Sequence, residues 1–292
     1  MKDKLYLVLG STVALAVAGG ILGGGVAHAD SSKVMAVGST ALQPLAEQAA
    51  EMYSQDHAGV NIVVQGGGSG AGLSQVGKGG VTIGDSDIYA SQKDGVDASK
   101  LTDHKVAVVG MAPVVNKDVS VSSLSINQLR NIFSGKITNW KDVGGQDQDI
   151  VLINRAQGSG TRVTFEDKVM GDATTKTSQE QDDNGAVQKI VAKTPGAISY
   201  LAFSYTKGAG ADGLKTLSID KVKPTDKNVK DNKWQIWAYE HMYTTKKTDS
   251  NTKKFIKFVS SKSMKKTVKK LGYIPVSDMK VSMDDKGNVT KK

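Results

Sequence analysis

The chain is 292 residues long and carries 38 Lys+Arg against 29 Asp+Glu, a formal net charge of +9. At 39% hydrophobic and 23% charged it can build packed cores and is not a disordered polymer, while 5% aromatic content leaves little for stacking on single-stranded nucleic acid. It has no cysteine, which excludes disulfides, thiolate metal sites, a Cys nucleophile and a lipidated-cysteine anchor.

From the N-terminus, Lys2 and Lys4 precede an apolar run from Leu5 to Val26, and Ala27-His28-Ala29 is a small-x-small pattern ahead of Asp30. Residues 1–29 therefore read as a secretory signal peptide, cut after Ala29 or retained as an anchor, since the run is long enough to span a bilayer. ATP and nicotinamide cofactors are scarce outside a cell, so no cofactor is expected. No metal is expected either: there is no His-Glu-x-x-His, and Asp284-Asp285-Lys286-Gly287 fails the calcium-loop spacing.

A strand at Val34–Val37 is followed by Gly38-Ser39-Thr40-Ala41 and then by a helical spacing of Leu42, Leu45, Ala49, Met52 and Tyr53. The next strand, Val60–Gln65, runs into Gly66-Gly67-Gly68-Ser69-Gly70-Ala71-Gly72 and a short helix at Leu73–Gly77. Val81–Ile83 and Val106–Val109 read as strands, and Ile126, Leu129, Ile132 and Phe133 as a helix face. The strand Ile150–Asn154 leads through Arg155-Ala156-Gln157-Gly158-Ser159-Gly160-Thr161 into a helix reaching Met170. A helix through Ala186, Val187, Ile190 and Val191, a strand at Ala197–Tyr205 and a flexible loop at Gly208–Gly213 follow. One long helix is expected over Asn251–Lys270, with eight lysines between Lys253 and Lys270, and then a charged, frayed tail. Alternating strands and helices give an α/β fold.

Three of these junctions share one grammar: strand, small residues with a hydroxyl, helix N-terminus. The first turn of a helix has unpaired N–H groups and about half a positive charge, and glycine lets an anion approach them. A single such turn is equally what an ordinary capped helix looks like. Three in one chain, one opening with Arg155, point to a shared oxyanion, because a guanidinium fork matches phosphate or carboxylate oxygens. Gly72-x4-Gly77-Lys78 copies the spacing of a nucleotide-binding loop, but Gly79 stands where its Ser/Thr belongs.

Gly38-Ser39-Thr40-Ala41-Leu42-Gln43-Pro44, Gln65-Gly66-Gly67-Gly68-Ser69-Gly70, Gly84-Asp85-Ser86-Asp87, Met111-Ala112-Pro113-Val114-Val115-Asn116, Phe133-Ser134-Gly135-Lys136-Ile137-Thr138-Asn139-Trp140 and Arg155-Ala156-Gln157-Gly158-Ser159-Gly160-Thr161 occur together and in order. From about Lys33 to Val276 the chain resembles the phosphate-binding proteins of bacterial phosphate ABC importers. The resemblance implies a two-lobe periplasmic-binding-protein-like fold of type II, with a ligand cleft between lobes joined by two crossover strands, Gly110–Asn116 and the stretch near Trp234–Tyr243. Lobe 1 would be 33–111 plus 240–276, lobe 2 would be 112–239, and 277–292 would be the charged tail. It implies phosphate contacts from Thr40, Ala41, Ser69, Asp87, Arg155, Ser159, Gly160 and Thr161, and no catalytic residue. It also implies a monomer, exported to the surface of a Gram-positive cell, that serves membrane permease and ATPase subunits and binds no nucleic acid.

The residues leave other uses open. Ser69 or Ser159 could serve an exported hydrolase as nucleophile, although His57, His104 and His241 sit in no recognisable base motif. The lysine-rich helix could adhere to anionic polymer or be merely a solvated face. Sulfate or molybdate are rival ligands, against which Asp87 argues.

Overall fold

The structure, a computed structural model, describes residues 33–292; the expected signal peptide lies outside the described residues. In chain order the first elements are β1 (Lys33–Gly38), α1 (Gln43–Asp56), β2 (Asn61–Gln65), α2 (Ser69–Gly77), β3 (Ile83–Ser86), β4 (Leu101–Asn116), β5 (Ser123–Leu124), α3 (Ile126–Phe133), β6 (Val151–Arg155) and α4 (Gly160–Val169). They are followed by β7 (Gln179–Gln181), α5 (Asn184–Lys193), β8 (Ala197–Ala202), β9 (Leu214–Thr216), β10 (Ser218–Ile219), α6 (Asp226–Lys230), β11 (Trp237–Thr245), α7 (Ser250–Val259), α8 (Lys265–Lys270), β12 (Val281–Met283) and β13 (Val289–Lys291). The α/β expectation holds.

A mixed sheet runs β2-β1-β3-β11-β4-β8-β6-β7, with β9 attached to β4. Its organising member is β4. Residues Leu101–Gly110 pair antiparallel with β11, while Met111–Val115 pair with β8. One strand thus belongs to both halves of the sheet. Each half has its own aromatic packing. In the first, Tyr53 of α1 meets Phe255 and Phe258 of α7 at centroid distances of 5.7 and 5.3 Å. In the second, Phe165 of α4 stacks on Tyr200 of β8 at 4.0 Å, with Phe133 beside both.

α2 packs so closely on β1 and β3 that a Cβ on Gly72 would lie 2.5 Å from the Val37 carbonyl and 2.6 Å from that of Asp85. Glycine is therefore demanded by contact, and its close approach sets the N-terminus of α2 beside the ends of β1 and β3. The third strand is Ile83–Ser86 rather than Val81–Ile83. Hydropathy missed it because Gly84, Asp85 and Ser86 are polar or small, yet all three are buried, Gly84 and Asp85 are paired on both sides, and Ser86 is paired with β11.

Two C-terminal expectations are corrected. The helix over Asn251–Lys270 is broken into α7 and α8, because Ser260 caps α7 and turns its hydroxyl onto the Ile256 carbonyl, 3.0 Å away. All eight lysines are exposed. The tail is a hairpin and not a frayed end. Asp284 accepts hydrogen bonds from the backbone of Lys286 and Asn288 at 3.0 and 2.8 Å, and Gly287 supplies a φ of 80°. The hairpin is fastened by Asp278 to Lys265 and Lys269 at 2.8 and 2.9 Å, and by Lys280 to Asp231 at 2.6 Å. Those two lysines hold the Asp278 carboxyl down at about 2. Met279 and Val281 are buried beneath it. Ending the chain at Ser277 should therefore lower the unfolding free energy by about 3–6 kcal/mol, the worth of two buried apolar side chains; urea denaturation measures it, and an unchanged midpoint would show the hairpin to be passive.

Candidate functional site

The three hydroxyl-bearing turns predicted from sequence meet. The turn after β1, the N-terminus of α2 and the N-terminus of α4 surround Asp87, which follows β3 and is 4% exposed. Its Oδ1 accepts a very short hydrogen bond from the Ser39 hydroxyl. Its Oδ2 accepts one from Thr161 Oγ1 at 2.9 Å, and its backbone N–H donates to Ser69 Oγ at 2.9 Å. Burial pushes the Asp87 carboxyl up, opposed by the Ser39 and Thr161 hydroxyls and the Arg155 guanidinium.

Arg155 closes β6 and is 1% exposed. Its Nε donates to the Gln181 carbonyl at 3.2 Å, and its Nη2 to the Asp182 carbonyl and Thr40 Oγ1 at 2.8 and 3.3 Å. Nη1 is buried with no acceptor. An orphaned guanidinium N–H is costly unless an acceptor arrives, so this is the atom an anion would satisfy. Thr40 Oγ1 accepts from Arg155 and from both the backbone and side-chain nitrogens of Asn184, which leaves its own proton to donate.

Across the cleft the two halves touch through backbone. Gly70 N–H donates to the Gly158 carbonyl at 3.0 Å. Ser159 caps α4, its hydroxyl accepting from Arg162 N–H at 3.2 Å, and the first-turn amides of Gly160 and Thr161 have no acceptor within the helix. Gly160 faces Ser69 so closely that an ideal Cβ would fall 2.2 Å from the serine Oγ. A roomier hollow of about 500 Å³ beside Arg162, Glu166 and Glu180 lies apart from this constellation, and there Arg162 already pairs with both acids.

Seven of the eight predicted residues thus bring a polar group or a close approach to one buried point. Ala41 is there too, but its N–H is committed to Ser39 Oγ at 3.0 Å. Sequence reasoning missed several members. Ser39 was inside a quoted motif, yet its role as the Asp87 donor appears only once β1 and β3 pair. Asn184 and the carbonyls of Gln181 and Asp182 arrive from the β7–α5 junction, Asp182-Asp183-Asn184-Gly185, which has an Asn-Gly pair but no hydroxyl and so does not read as a site turn. Glu240, in β11, and Asp85 are both buried beside Asp87. The one legible sign of Glu240 was an acid inside the otherwise apolar and aromatic run of Trp237–Tyr243.

Among the described residues no group of three or more His, Asp or Glu is arranged to hold a metal ion, and no helix is long and apolar enough to cross a membrane.

A family model described as a PBP superfamily domain matches residues 25–263. The chain is 48% identical over 251 residues to the phosphate-binding protein PstS of Bacillus subtilis, covering 86% of this chain and 83% of that one. Among solved structures it is similar to a Clostridium perfringens chain described as a phosphate ABC transporter substrate-binding protein with bound phosphate. That pair has a TM-score of 0.77 and 29% identity, over 84% of this chain and all of the other. An ABC-type phosphate transport receptor from Vibrio cholerae gives a TM-score of 0.64 at 30% identity, over 82% and 99% of the two chains.

Proposed function

Because the chain belongs to the phosphate-binding proteins of bacterial phosphate ABC importers, we propose that Thr40, Ser69, Asp87, Arg155, Ser159, Gly160 and Thr161 close together on inorganic phosphate, with Ala41 acting through its bond to Ser39. It is a substrate-binding component and not an enzyme: it captures phosphate and passes it to the permease, which the importer's ATPase drives. The lobes would be 33–111 plus 240–276 and 112–239, hinged where β4 and β11 run between them. Residues 1–29 would be the export signal, and the mature chain would work as a monomer at a Gram-positive cell surface.

One observation carries the site assignment. A buried carboxylate acceptor, an unsatisfied guanidinium N–H and the first turns of α2 and α4 converge on a single point. The donors suit a tetrahedral oxyanion, while Asp87 asks that the anion itself carry a proton. Hydrogen phosphate has one, and sulfate has none at neutral pH. Sulfate would set acceptor against acceptor in a buried place, which costs about 1–3 kcal/mol or more.

Asp87→Asn tests this. The wild type should bind phosphate and reject sulfate in calorimetric titrations. The variant, which offers sulfate a donor, should lose discrimination by roughly tenfold or more. Unaltered selectivity would remove Asp87 from the role.

A further inference from the structure

Two acids lie behind the site without a task in it. Glu240 in β11 is fully buried, Asp85 in β3 is 1% exposed, the carboxyl oxygens of Asp85 have no hydrogen-bond partner, and the Glu240 carboxyl has none but the neighbouring Asp87 carboxyl. The ladder explains their convergence. β11 runs antiparallel to β3, with Met242 opposite Asp85 and His241 opposite Ser86, so Glu240 comes level with Asp87 one step further on. On its other side, the ladder of β11 with β4 shifts register between Glu240 and His241, where β4 carries the extra residue Val106. The Glu240 carboxyl sits beside that of Asp87. Tyr273 and Tyr205 also face it, and its partner on β4, Ala107, carries no charge.

Counting charges decides which groups are ionised. Three carboxylates and a phosphate anion around the single guanidinium of Arg155 could not be buried together. Asp87 has the donors: Ser39, Thr161 and nearby Arg155. Burial, and then the charge of Asp87, hold Glu240 well above the usual carboxylate range, and burial followed by Asp87 does the same for Asp85. A neutral acid has one O–H to place, and the acceptor beside Glu240 is Asp87.

Resting on the phosphate reading above, we infer that Glu240 is a positioning residue, a neutral acid that donates to Asp87 from the side away from the ligand and fixes it as acceptor for the ligand's own O–H. A carboxylate offers about four lone-pair sites. Ser39, Thr161 and Glu240 occupy three, and the remaining one is satisfied only by an anion that brings a proton. Glu240 thus sharpens the preference for a protonated oxyanion without touching it.

The sign of the pH dependence follows. As pH rises through the raised pKa of Glu240 the donor is lost and a second negative charge appears beside Asp87, so phosphate affinity should fall on the alkaline side. Asp85 and the titration of phosphate itself act in wild type and variants alike, so affinities are compared as ratios at each pH.

The experiment is calorimetric titration of phosphate and sulfate into the wild type, Glu240→Gln and Glu240→Leu, from mildly acidic to alkaline pH. Glu240→Gln keeps a neutral donor and should stay within about threefold of the wild type at neutral pH, with less alkaline loss. Glu240→Leu should bind phosphate at least about tenfold more weakly and reject sulfate less well. Its melting temperature should change little, because the single hydrogen bond lost to Asp87 is offset by an apolar side chain of similar volume in place of a buried carboxyl. The inference is overturned if Glu240→Leu matches the wild type in affinity and selectivity, if Glu240→Gln is as weak as Glu240→Leu, or if Glu240→Gln retains the full alkaline loss. A wild type that binds no phosphate would overturn the functional reading, and this inference with it.

Discussion

Gly160→Ala is expected to weaken phosphate binding by about a hundredfold while leaving the fold as stable as before. The added methyl would sit 2.2 Å from Ser69 Oγ and 2.9 Å from Asp87 Cβ. Ser69 begins α2 in the first half of the sheet, whereas Gly160 begins α4 in the second. Relief therefore requires the two halves to separate, since neither can absorb an ångström of overlap internally. Losing about two hydrogen bonds to a charged ligand, at about 1.5 kcal/mol each, costs on the order of 10²-fold in affinity. Folding should not suffer, because Gly160 opens α4 without a positive φ, a backbone that alanine adopts without strain. Calorimetry should show the loss, and small-angle scattering should show that phosphate no longer compacts the variant as it does the wild type. A variant that compacts normally would mean that closure does not pass through this contact.

The second large effect is expected from Arg155→Lys, a loss of roughly ten- to a hundredfold. Lysine keeps the charge but not the fork. Arg155 spends Nε on the Gln181 carbonyl and Nη2 on the Asp182 carbonyl and Thr40, which leaves Nη1 for the ligand. A single ammonium cannot hold that turn, orient Thr40 and reach an anion at once. Each buried acceptor left bare costs about 1–3 kcal/mol, and each 1.4 kcal/mol is tenfold in affinity. Titration with phosphate measures the loss. Affinity within twofold of the wild type would mean that the guanidinium supplies charge alone.

The parts of the site that could be read directly are those whose chemistry is local. Gly38–Ala41, Gly66–Gly72 and Arg155–Thr161 announce themselves because a strand-to-helix turn that exposes amides needs glycine and hydroxyls within a few residues. The α/β class followed from alternation, and the helical faces of α1, α3 and α5 from spacing. The broken helix at Ser260 and the terminal hairpin were misread for a related reason. Periodicity records which face can be buried, whereas the hydroxyl of Ser260 and the carboxylate of Asp284 bond to nearby backbone and override it.

Sequence alone determined that several helix entrances and one arginine would seek an oxyanion, since each of those preferences is written within a single turn of chain. Only the tertiary structure decided that Ser39 donates to Asp87, that Asn184 and the Asp182 carbonyl hold Thr40 and Arg155, and that Glu240 stands behind Asp87. Those partners lie tens to more than a hundred residues apart. Their meeting depends on which strands pair and in what register, and a register is set by the packing of whole faces rather than by any residue's own preference.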